Sequence, residues 1–212
     1  MRYALLVVLY LFTLPCSAKS ADWQSYKRSA NTQVDYRRNN NGLLQIRAKT
    51  TVKSGIGAML HLLEDTTNIT NWVANSRKAE LLSHPDAQTH LVHTYFSAIW
   101  PVSKRDMVTK SVWWQDPQSL VLRMIVTDVG QSYPLVKGYV RMQQVEGEWT
   151  LTPSADGLLT IQYQGQADPG GKLPHFIADK VALKSTWQTF LALEDVILQY
   201  QSYYPGVSEA AF

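Results

Sequence analysis

The chain has 212 residues, of which 45% are hydrophobic, 11% are aromatic and 17% are charged, and its formal net charge is +3. This composition is typical of a globular protein and excludes an intrinsically disordered one. No run of lysine and arginine is longer than two residues. We therefore expect no nucleic-acid partner, because nucleic-acid-binding faces concentrate positive charge.

The first predicted element is a secretory signal peptide over residues 1–18. Arg2 precedes an apolar run, which is followed by a helix-breaking proline and small residues, and cleavage is expected after Ala18. The run is shorter than the roughly 20 residues that a membrane-spanning helix needs. We therefore predict an exported protein, periplasmic or secreted, with one domain over residues 19–212. A retained anchor and lipidation of Cys16, the only cysteine, are the alternatives.

The next part of the chain is predicted to form strands and then a helix. Strands are expected in the segments WQSYKR, TQVDYRR and LLQIRAKTTV, with a turn over residues 39–42 before the last of them. Ser54 is predicted to cap the N-terminus of a helix over GIGAMLHLLEDT through its side-chain hydroxyl. The apolar residues Ile56, Met59 and Leu60 lie on one side of this helix.

From Arg77 onward the pattern predicts consecutive short strands, with turns that include Glu146-Gly147. Consecutive strands joined by short turns favour an antiparallel meander. The last element is a helix from about residue 172 to 200, which would be about 40 Å long. Its broad apolar face carries Phe176, Leu183, Trp187, Phe190, Leu191, Ile197 and Leu198. Its other side carries Asp179, Ala182, Thr186 and Thr189.

The motifs of common catalytic and cofactor sites are absent from the sequence. It has no Gly-x-Ser-x-Gly elbow, no Cys-x-x-Cys pair and no phosphate loop, and Gly55-Ile56-Gly57 lacks the third glycine of a dinucleotide fingerprint. His90 and His93 lie in a predicted strand, where an odd separation places two side chains on opposite faces. We therefore predict no cofactor, no metal site and no catalytic residue.

Two pairs of adjacent acidic residues occur in predicted helices. Glu64-Asp65 and Glu194-Asp195 are expected at helix surfaces, where their carboxylates stay in contact with water. They therefore give no indication of acid–base chemistry at this stage.

Several segments of the second half resemble a known family. KRDMV, VTDVGQSYPLVKGYVRMQ, EWTLTP and DPGGKLPHFIADKVALKSTWQTFLAL occur in that order. Together they resemble the START family, the lipid-transfer domains related to the steroidogenic acute regulatory protein. The most specific pieces are Arg105-Asp106, Lys137-Gly138 and the residues 171–174. The resemblance covers the chain from about Trp23 to Tyr200.

This resemblance implies an α+β helix-grip fold, in which a curved antiparallel sheet wraps around the long C-terminal helix. It also implies non-catalytic binding, and transfer, of a lipid or other hydrophobic ligand in a tunnel between sheet and helix, by a monomer that contacts membranes transiently. The tunnel is expected to be lined from the strands by Met107, Ser111, Trp113, Leu122, Met124 and Val126. From the helix it is expected to be lined by Phe176, Leu183, Leu191 and Trp187, with Trp187 as an aromatic floor.

The loop before KRDMV is the predicted gate of the tunnel. It carries four consecutive apolar residues, Ile99, Trp100, Pro101 and Val102, at a place where a solvent-exposed turn is normally polar. The family analogy places this loop across from the closing helix, over one tunnel end. The alternative is that Trp100 plugs the core.

One departure from the family pattern concerns the ligand. Some sterol-carrying relatives hold the sterol hydroxyl with a charged pair, but THLVHTYFSAIW contains no acid, and Ser111 stands where the basic partner is expected. A ligand with an acyl or isoprenoid body, met by hydroxyls or histidines, fits at least as well.

Two other classes of function stay open from the sequence. One is a cyclase- or aromatase-like enzyme of the same broad fold, with Arg105, His93, Tyr163 and Arg141 as acid–base candidates. The other is a ligand-free module whose apolar groove takes a protein or a peptide.

Overall fold

One large β-sheet organises the chain. The structure, a computed structural model, describes residues 22–210, so the predicted signal peptide and Cys16 lie outside the described residues. The strands are β1 (Gln24–Arg28), β2 (Gln33–Arg38), β3 (Leu44–Lys53), β4 (Ser76–Asp86), β5 (Thr89–Phe96), β6 (Arg105–Gln115), β7 (Leu122–Asp128), β8 (Val140–Arg141), β9 (Gln143–Pro153) and β10 (Leu158–Asp168). The helices are α1 (Ile56–Glu64) and α2 (His175–Val196), and 3-10 turns cover Thr66–Asn71, Gly130–Ser132 and Ile197–Tyr200.

The sheet runs in the order β1-β2-β3-β10-β9-β7-β6-β5-β4. All neighbours in this order are antiparallel, and the short β8 adds a parallel pairing to β6. The predicted α+β helix-grip architecture, with an antiparallel sheet around a long C-terminal helix, is confirmed. We call the sheet face that is turned toward α2 the inner face, and the opposite one the outer face.

The core lies between the inner face, α1 and one side of α2. Leu183, Phe190 and Leu193 of α2 and Ile197 just after it are buried there. Burying one such side chain fully stabilises the fold by about 1.5–3 kcal/mol. α2 therefore packs against the sheet through Leu183, Phe190 and Leu193.

The turn predicted at Glu146-Gly147 is not formed, because β9 continues through both residues. Gly147 is paired with Gly165 of β10, and the ring of Tyr163 occupies the space above both glycines. A β-carbon on Gly165 would lie 2.2 Å from the Tyr163 hydroxyl oxygen. The glycines thus make room for an aromatic ring rather than for a turn.

The N-terminus of α1 is capped by a distant residue and not by Ser54. The backbone N–H groups of Ile56 and Gly57 donate to the two carboxylate oxygens of Glu209, at 2.9 and 2.7 Å. The hydroxyl of Ser54 instead accepts from the Gln201 amide at 2.9 Å. The local cap signal fails because the C-terminal tail supplies a charged acceptor at the same place.

Two carboxylates of the acidic pairs are half-buried and hydrogen-bonded, and are therefore less solvated than predicted. Glu194 accepts hydrogen bonds from the hydroxyls of Thr32, just before β2, and of Thr50 in β3. Glu64 is half-buried beside His90, as described below. Both residues lie on the helix sides that face the sheet, which the sequence pattern did not indicate.

Across residues 22–210, no helix combines the length and the apolarity that a membrane crossing requires. Within the same part of the chain, no three His, Cys, Asp or Glu side chains are grouped so that they could hold a metal ion.

Candidate ligand-binding cavity

A cavity of about 430 Å³ lies between the inner face of the sheet and α2. Its size falls within the ~300–1,000 Å³ range of small-molecule sites. The walls are mostly apolar and come from α1, the 3-10 turn after it, α2 and strands β3, β4, β5, β6, β7, β9 and β10. The described fold therefore leaves open space where a continuous core would otherwise be packed.

The strands contribute alternate residues to this cavity. Five of the predicted tunnel residues line it, namely Met107, Ser111, Trp113, Met124 and Val126. Leu122 is not among the lining residues and is completely buried in the core. Contact of the lining residues with a ligand stays a prediction.

The side of α2 that faces the cavity differs from the predicted one. The lining residues of α2 are mostly small or polar, namely Ala178, Asp179, Ala182, Ser185, Thr186 and Thr189. Phe190 and His175 join them. Small side chains leave volume unfilled, whereas large ones close it, so the cavity follows the small side of the helix.

The prediction that four large residues of α2 line the tunnel is wrong for this cavity. Phe176, Leu183, Trp187 and Leu191 do not line the cavity. Leu183 is buried in the core, while Phe176 and Leu191 are exposed. Trp187 is half-buried, and the ammonium group of Lys27 lies 5.7 Å from the centre of its ring. The large residues fill the helix–sheet contact or face solvent because the cavity lies beside that contact.

The aromatic floor of the cavity is formed by Trp149, Tyr163 and Phe190 instead of Trp187. The ring centres of Trp149 and Tyr163 are 4.8 Å apart, and Trp149 stacks on Phe190 at 5.9 Å. Burial raises the pKa of the Tyr163 hydroxyl to about 12, so this hydroxyl stays neutral at ordinary pH. The alternation of EWTLTP could have placed Trp149 on the inner face, but the turn predicted just before it interrupted the pattern.

The polar end of the cavity is built by Glu64, His90 and Ser111. His90 of β5 and Ser111 of β6 are directly opposite each other in the sheet. Glu64, at the C-terminal end of α1, places its Oε1 atom 3.0 Å from Nε2 of His90. The Tyr204 hydroxyl donates to the same Oε1 atom. The chain thus supplies an acid at the cavity from α1, where the strand itself has none.

Two polar atoms at this end of the cavity can still form hydrogen bonds. Nε2 of His90 is buried and has no aligned hydrogen-bond partner, although the oxygen of Glu64 is close. Within residues 22–210 no donor bonds to Oε2 of Glu64. A buried polar atom without a partner is costly, and a ligand or a water molecule can remove that cost.

The charge state of Glu64 follows from its surroundings. Burial alone raises the pKa of the carboxyl, but the contacts with His90 and Tyr204 outweigh it and hold the pKa below the ordinary value of 4.5. Glu64 is therefore ionised at neutral pH, and it places a negative charge at one end of an apolar cavity.

Comparison with known proteins identifies the family. A sequence model of the START domain matches residues 8–192. The chain belongs to the START domain family.

Solved structures and one curated relative resemble this START domain. A STAR-related lipid transfer protein from Xanthomonas axonopodis has 28% identity and a TM-score of 0.76, over 84% of this chain and 99% of that fragment. Human StAR-related lipid transfer protein 5 shares the fold, with 16% identity and a TM-score of 0.75 over 87% of this chain and 90% of its own. The uncharacterized protein PA1579 of Pseudomonas aeruginosa is 26% identical over 148 residues, 69% of this chain and 72% of its own length.

The predicted gate of this START domain borders a second cavity of about 170 Å³. Ile99 and Val102 line it, opposite the first half of α2, while Pro101 is exposed and Trp100 is 93% exposed. Phe96 and Ala182 line both cavities, so the second one adjoins the end of the first that lies away from Glu64. Trp100 does not plug the core, and its gating role stays a prediction.

The four acid–base candidates of the enzyme alternative are not brought together in this START domain. Tyr163 lines the main cavity and Arg105 lines the second one. His93 and Arg141 belong to the outer face, where both bond to Asp106. His90 and His93 thus lie on opposite faces, as strand alternation predicted.

Proposed function

We propose that this START domain binds one uncharged hydrophobic molecule with a hydroxyl group at one end, without catalysis, and passes it between membranes. The observation that carries the proposal is an apolar cavity of about 430 Å³ with the carboxylate of Glu64 beside the imidazole of His90 at one end. The apolar walls match the body of such a molecule, and the pair matches its hydroxyl.

The walls favour a ligand that water solvates poorly. Burying apolar surface stabilises a complex by about 25 cal/mol per Å². Ordered water in the same space would find few hydrogen-bond partners on walls formed by residues such as Met124, Val126 and Trp149. A hydrophobic occupant therefore gains more from the cavity than water does.

The ionised carboxylate of Glu64 beside His90 favours a hydroxyl over an acidic head group. A hydroxyl can donate to the open Oε2 atom of Glu64 and meet the unpartnered Nε2 atom of His90. A carboxylate or phosphate would approach the ionised Glu64, and like charges about 4 Å apart repel by about 4 kcal/mol at an effective dielectric of about 20. We therefore favour long-chain or isoprenoid alcohols over fatty acids and acidic phospholipids.

The gate supports exchange with a membrane. Trp100 is almost fully exposed at the tip of the loop that borders the second cavity. Tryptophan is favoured at the water–membrane interface, since its ring is largely apolar and its N–H group is polar. Contact of this loop with a bilayer would open a path from the lipid phase through the second cavity to the first.

The decisive experiment is mass spectrometry of the protein and of its organic extract, after purification from its own compartment. We expect one apolar hydroxylated molecule per chain. Recovery of an acidic lipid would contradict the ligand class, a chemically altered molecule would favour the enzyme alternative, and an empty cavity would favour the interaction module.

A pair of variants on one strand provides the control. Val126→Trp fills the cavity from β7, whereas Thr127→Trp adds the same ring on the exposed face of that strand. We expect the first variant to lose the bound molecule and the second to retain it. Equal occupancy in both would show that the molecule is bound elsewhere.

A further inference from the structure

The C-terminal tail, residues 201–210, returns over α1 and touches it closely. Gly57 of α1 has no side chain, and a β-carbon there would lie 3.0 Å from both the Ser202 carbonyl oxygen and the Tyr204 β-carbon. A β-carbon on Gly55 would lie 2.9 Å from the carboxylate of Glu209. Both glycines of the Gly55-Ile56-Gly57 segment therefore make room for the tail.

Three further contacts fix the tail. Glu209 accepts from the first two N–H groups of α1, where the positive end of the helix dipole favours a carboxylate. The Gln115 amide and the Ser208 backbone bond to each other in both directions, at 2.8 and 2.9 Å. Val207 is buried in the main core. The tail is therefore an integral layer of the fold between α1 and the end of β6.

The tail reaches the polar end of the cavity through Tyr204. Its hydroxyl donates to Oε1 of Glu64, the atom that also lies beside His90. Its ring is buried and contacts Trp113, a cavity-lining residue, edge-on at 6.0 Å between ring centres. Tyr204 thus holds Oε1 of Glu64 and leaves Oε2 without a bonded donor among residues 22–210.

We propose that the C-terminal tail is part of the ligand site, with Tyr204 as a positioning residue that directs Oε2 of Glu64 toward the ligand hydroxyl. This inference rests on the proposed function and adds a specificity element to it. The region that matches the family model ends at residue 192, so the tail is a feature of this chain beyond that match. Glu209 and the two glycines keep the tail in place.

The test compares Tyr204→Phe with Tyr203→Phe. The first change removes only the hydroxyl and keeps the buried ring, and the second removes the hydroxyl of an exposed neighbour. The probes are hexadecan-1-ol, palmitic acid and hexadecane, which share one chain and differ at the end group. Bound fractions are measured by native mass spectrometry after incubation with each probe.

We expect wild type and Tyr203→Phe to prefer the alcohol over the other two probes. In Tyr204→Phe we expect that preference to fall by roughly tenfold, the size expected from one hydrogen bond to a charged group. Total binding of apolar chains is expected to persist, because the walls of the cavity are unchanged.

A second readout separates positioning from mere packing. Tyr204 is one of the donors that hold the pKa of Glu64 low. Without it the pKa of Glu64 should rise, so the pH midpoint below which alcohol binding weakens should move upward in Tyr204→Phe. Glu209→Gln, which loosens the tail without touching the cavity, should shift the preference in the same direction but by less.

The outcomes distinguish the two levels of the proposal. If Tyr204→Phe binds apolar chains with unchanged preference and an unchanged pH midpoint, the role of the tail is overturned while the proposed function stands. If wild type binds none of the three probes, the proposed function fails and the role of the tail fails with it.

Discussion

His90 and His93 lie three residues apart on β5, both buried, and each lies beside a carboxylate on opposite faces of the sheet. On the outer face, His93 bonds to Asp106 at 2.7 Å. On the inner face, His90 lies 3.0 Å from Glu64. The two sites have similar chemical groups, so their difference shows what separates a structural cluster from a binding site.

The outer cluster is densely bonded. Oδ2 of Asp106 bonds to His93 and accepts from Nε of Arg141 at 2.9 Å, and Nη2 of Arg141 lies 2.8 Å from the same oxygen. The other imidazole nitrogen of His93 bonds to the Tyr95 hydroxyl at 2.9 Å. Arg141 also donates to the carbonyl oxygens of Gly130 and Pro134, and so ties the loop before β8 to the sheet. These groups hold one another, and although Oδ1 of Asp106 has no partner, none of the four side chains lines either of the two cavities described above.

The inner pair is sparsely bonded and opens into a cavity. Nε2 of His90 lacks an aligned partner, and Oε2 of Glu64 has no bonded donor among residues 22–210. His90 and Glu64 line the main cavity, where a ligand can supply the missing hydrogen bond, whereas the unpartnered Oδ1 of Asp106 borders neither described cavity. The comparison therefore assigns stability to the outer cluster and recognition to the inner pair.

The largest expected effect lies in the outer cluster. Arg141→Met should lower stability by about 3–5 kcal/mol, because it leaves the completely buried Asp106 without its main counter-charge. This corresponds to a fall in melting temperature of roughly 6–20 °C for a chain of this size. Thermal melts followed by circular dichroism measure it.

The matched control is Arg123→Met, which removes an exposed ion pair with Glu148. Its effect should stay within about 0–1 kcal/mol, as is usual for surface pairs. Equal losses of stability in the two variants would mean that the outer cluster contributes no more than a surface ion pair, and would contradict the structural role assigned to it.

The next effect concerns recognition by the inner pair. Glu64→Gln keeps the shape of the side chain but removes its charge, and it should abolish the preference for hexadecan-1-ol over palmitic acid. Because the side chain keeps contact with water, the loss of stability should be about 1 kcal/mol or less. Competition between the two probes, read by mass spectrometry, measures the preference. Unchanged selectivity would remove Glu64 from the ligand site.

Measurements over a range of pH test the charge state of Glu64. The folded-state pKa of Glu64 lies below its ordinary value of 4.5. Its interactions therefore stabilise the fold above about pH 4.5, and this contribution is lost as the pH falls through the folded-state pKa. The difference in melting temperature between wild type and Glu64→Gln should be present at pH 7 and shrink toward pH 3. A constant difference across this range would contradict the assigned charge state.

The smallest effect on stability is expected at the gate. Trp100→Glu should leave the melting temperature nearly unchanged, because Trp100 is 93% exposed. Transfer of the bound molecule between vesicles should become slower, since a charge replaces the membrane-seeking ring. Leu198→Glu, at an exposed apolar position beyond the far end of α2, is the control and should transfer at the wild-type rate. A wild-type rate in Trp100→Glu would place the entrance elsewhere.

The architecture could be predicted from the amino-acid sequence, because it depends on local patterns of residues. Alternation along the strands placed Met107 and Met124 on the cavity side and separated His90 from His93. The length of the last helix and the ordered family segments, such as Arg105-Asp106, indicate the helix-grip fold. Each of these properties depends on residues that are close together in the chain.

The residues that form the polar end of the cavity could not be predicted, because they are distant from one another in the sequence and meet only in the folded chain. Glu64 and Tyr204 are 140 residues apart, and the pattern of α1 gives no sign of that contact. The sequence also does not predict which side of α2 lines the cavity, because a helix with large residues on one side and small ones on the other can pack in either orientation. In the fold, large side chains of α2 pack against the sheet, and the small side, with Ala182 and Thr186, lines the cavity.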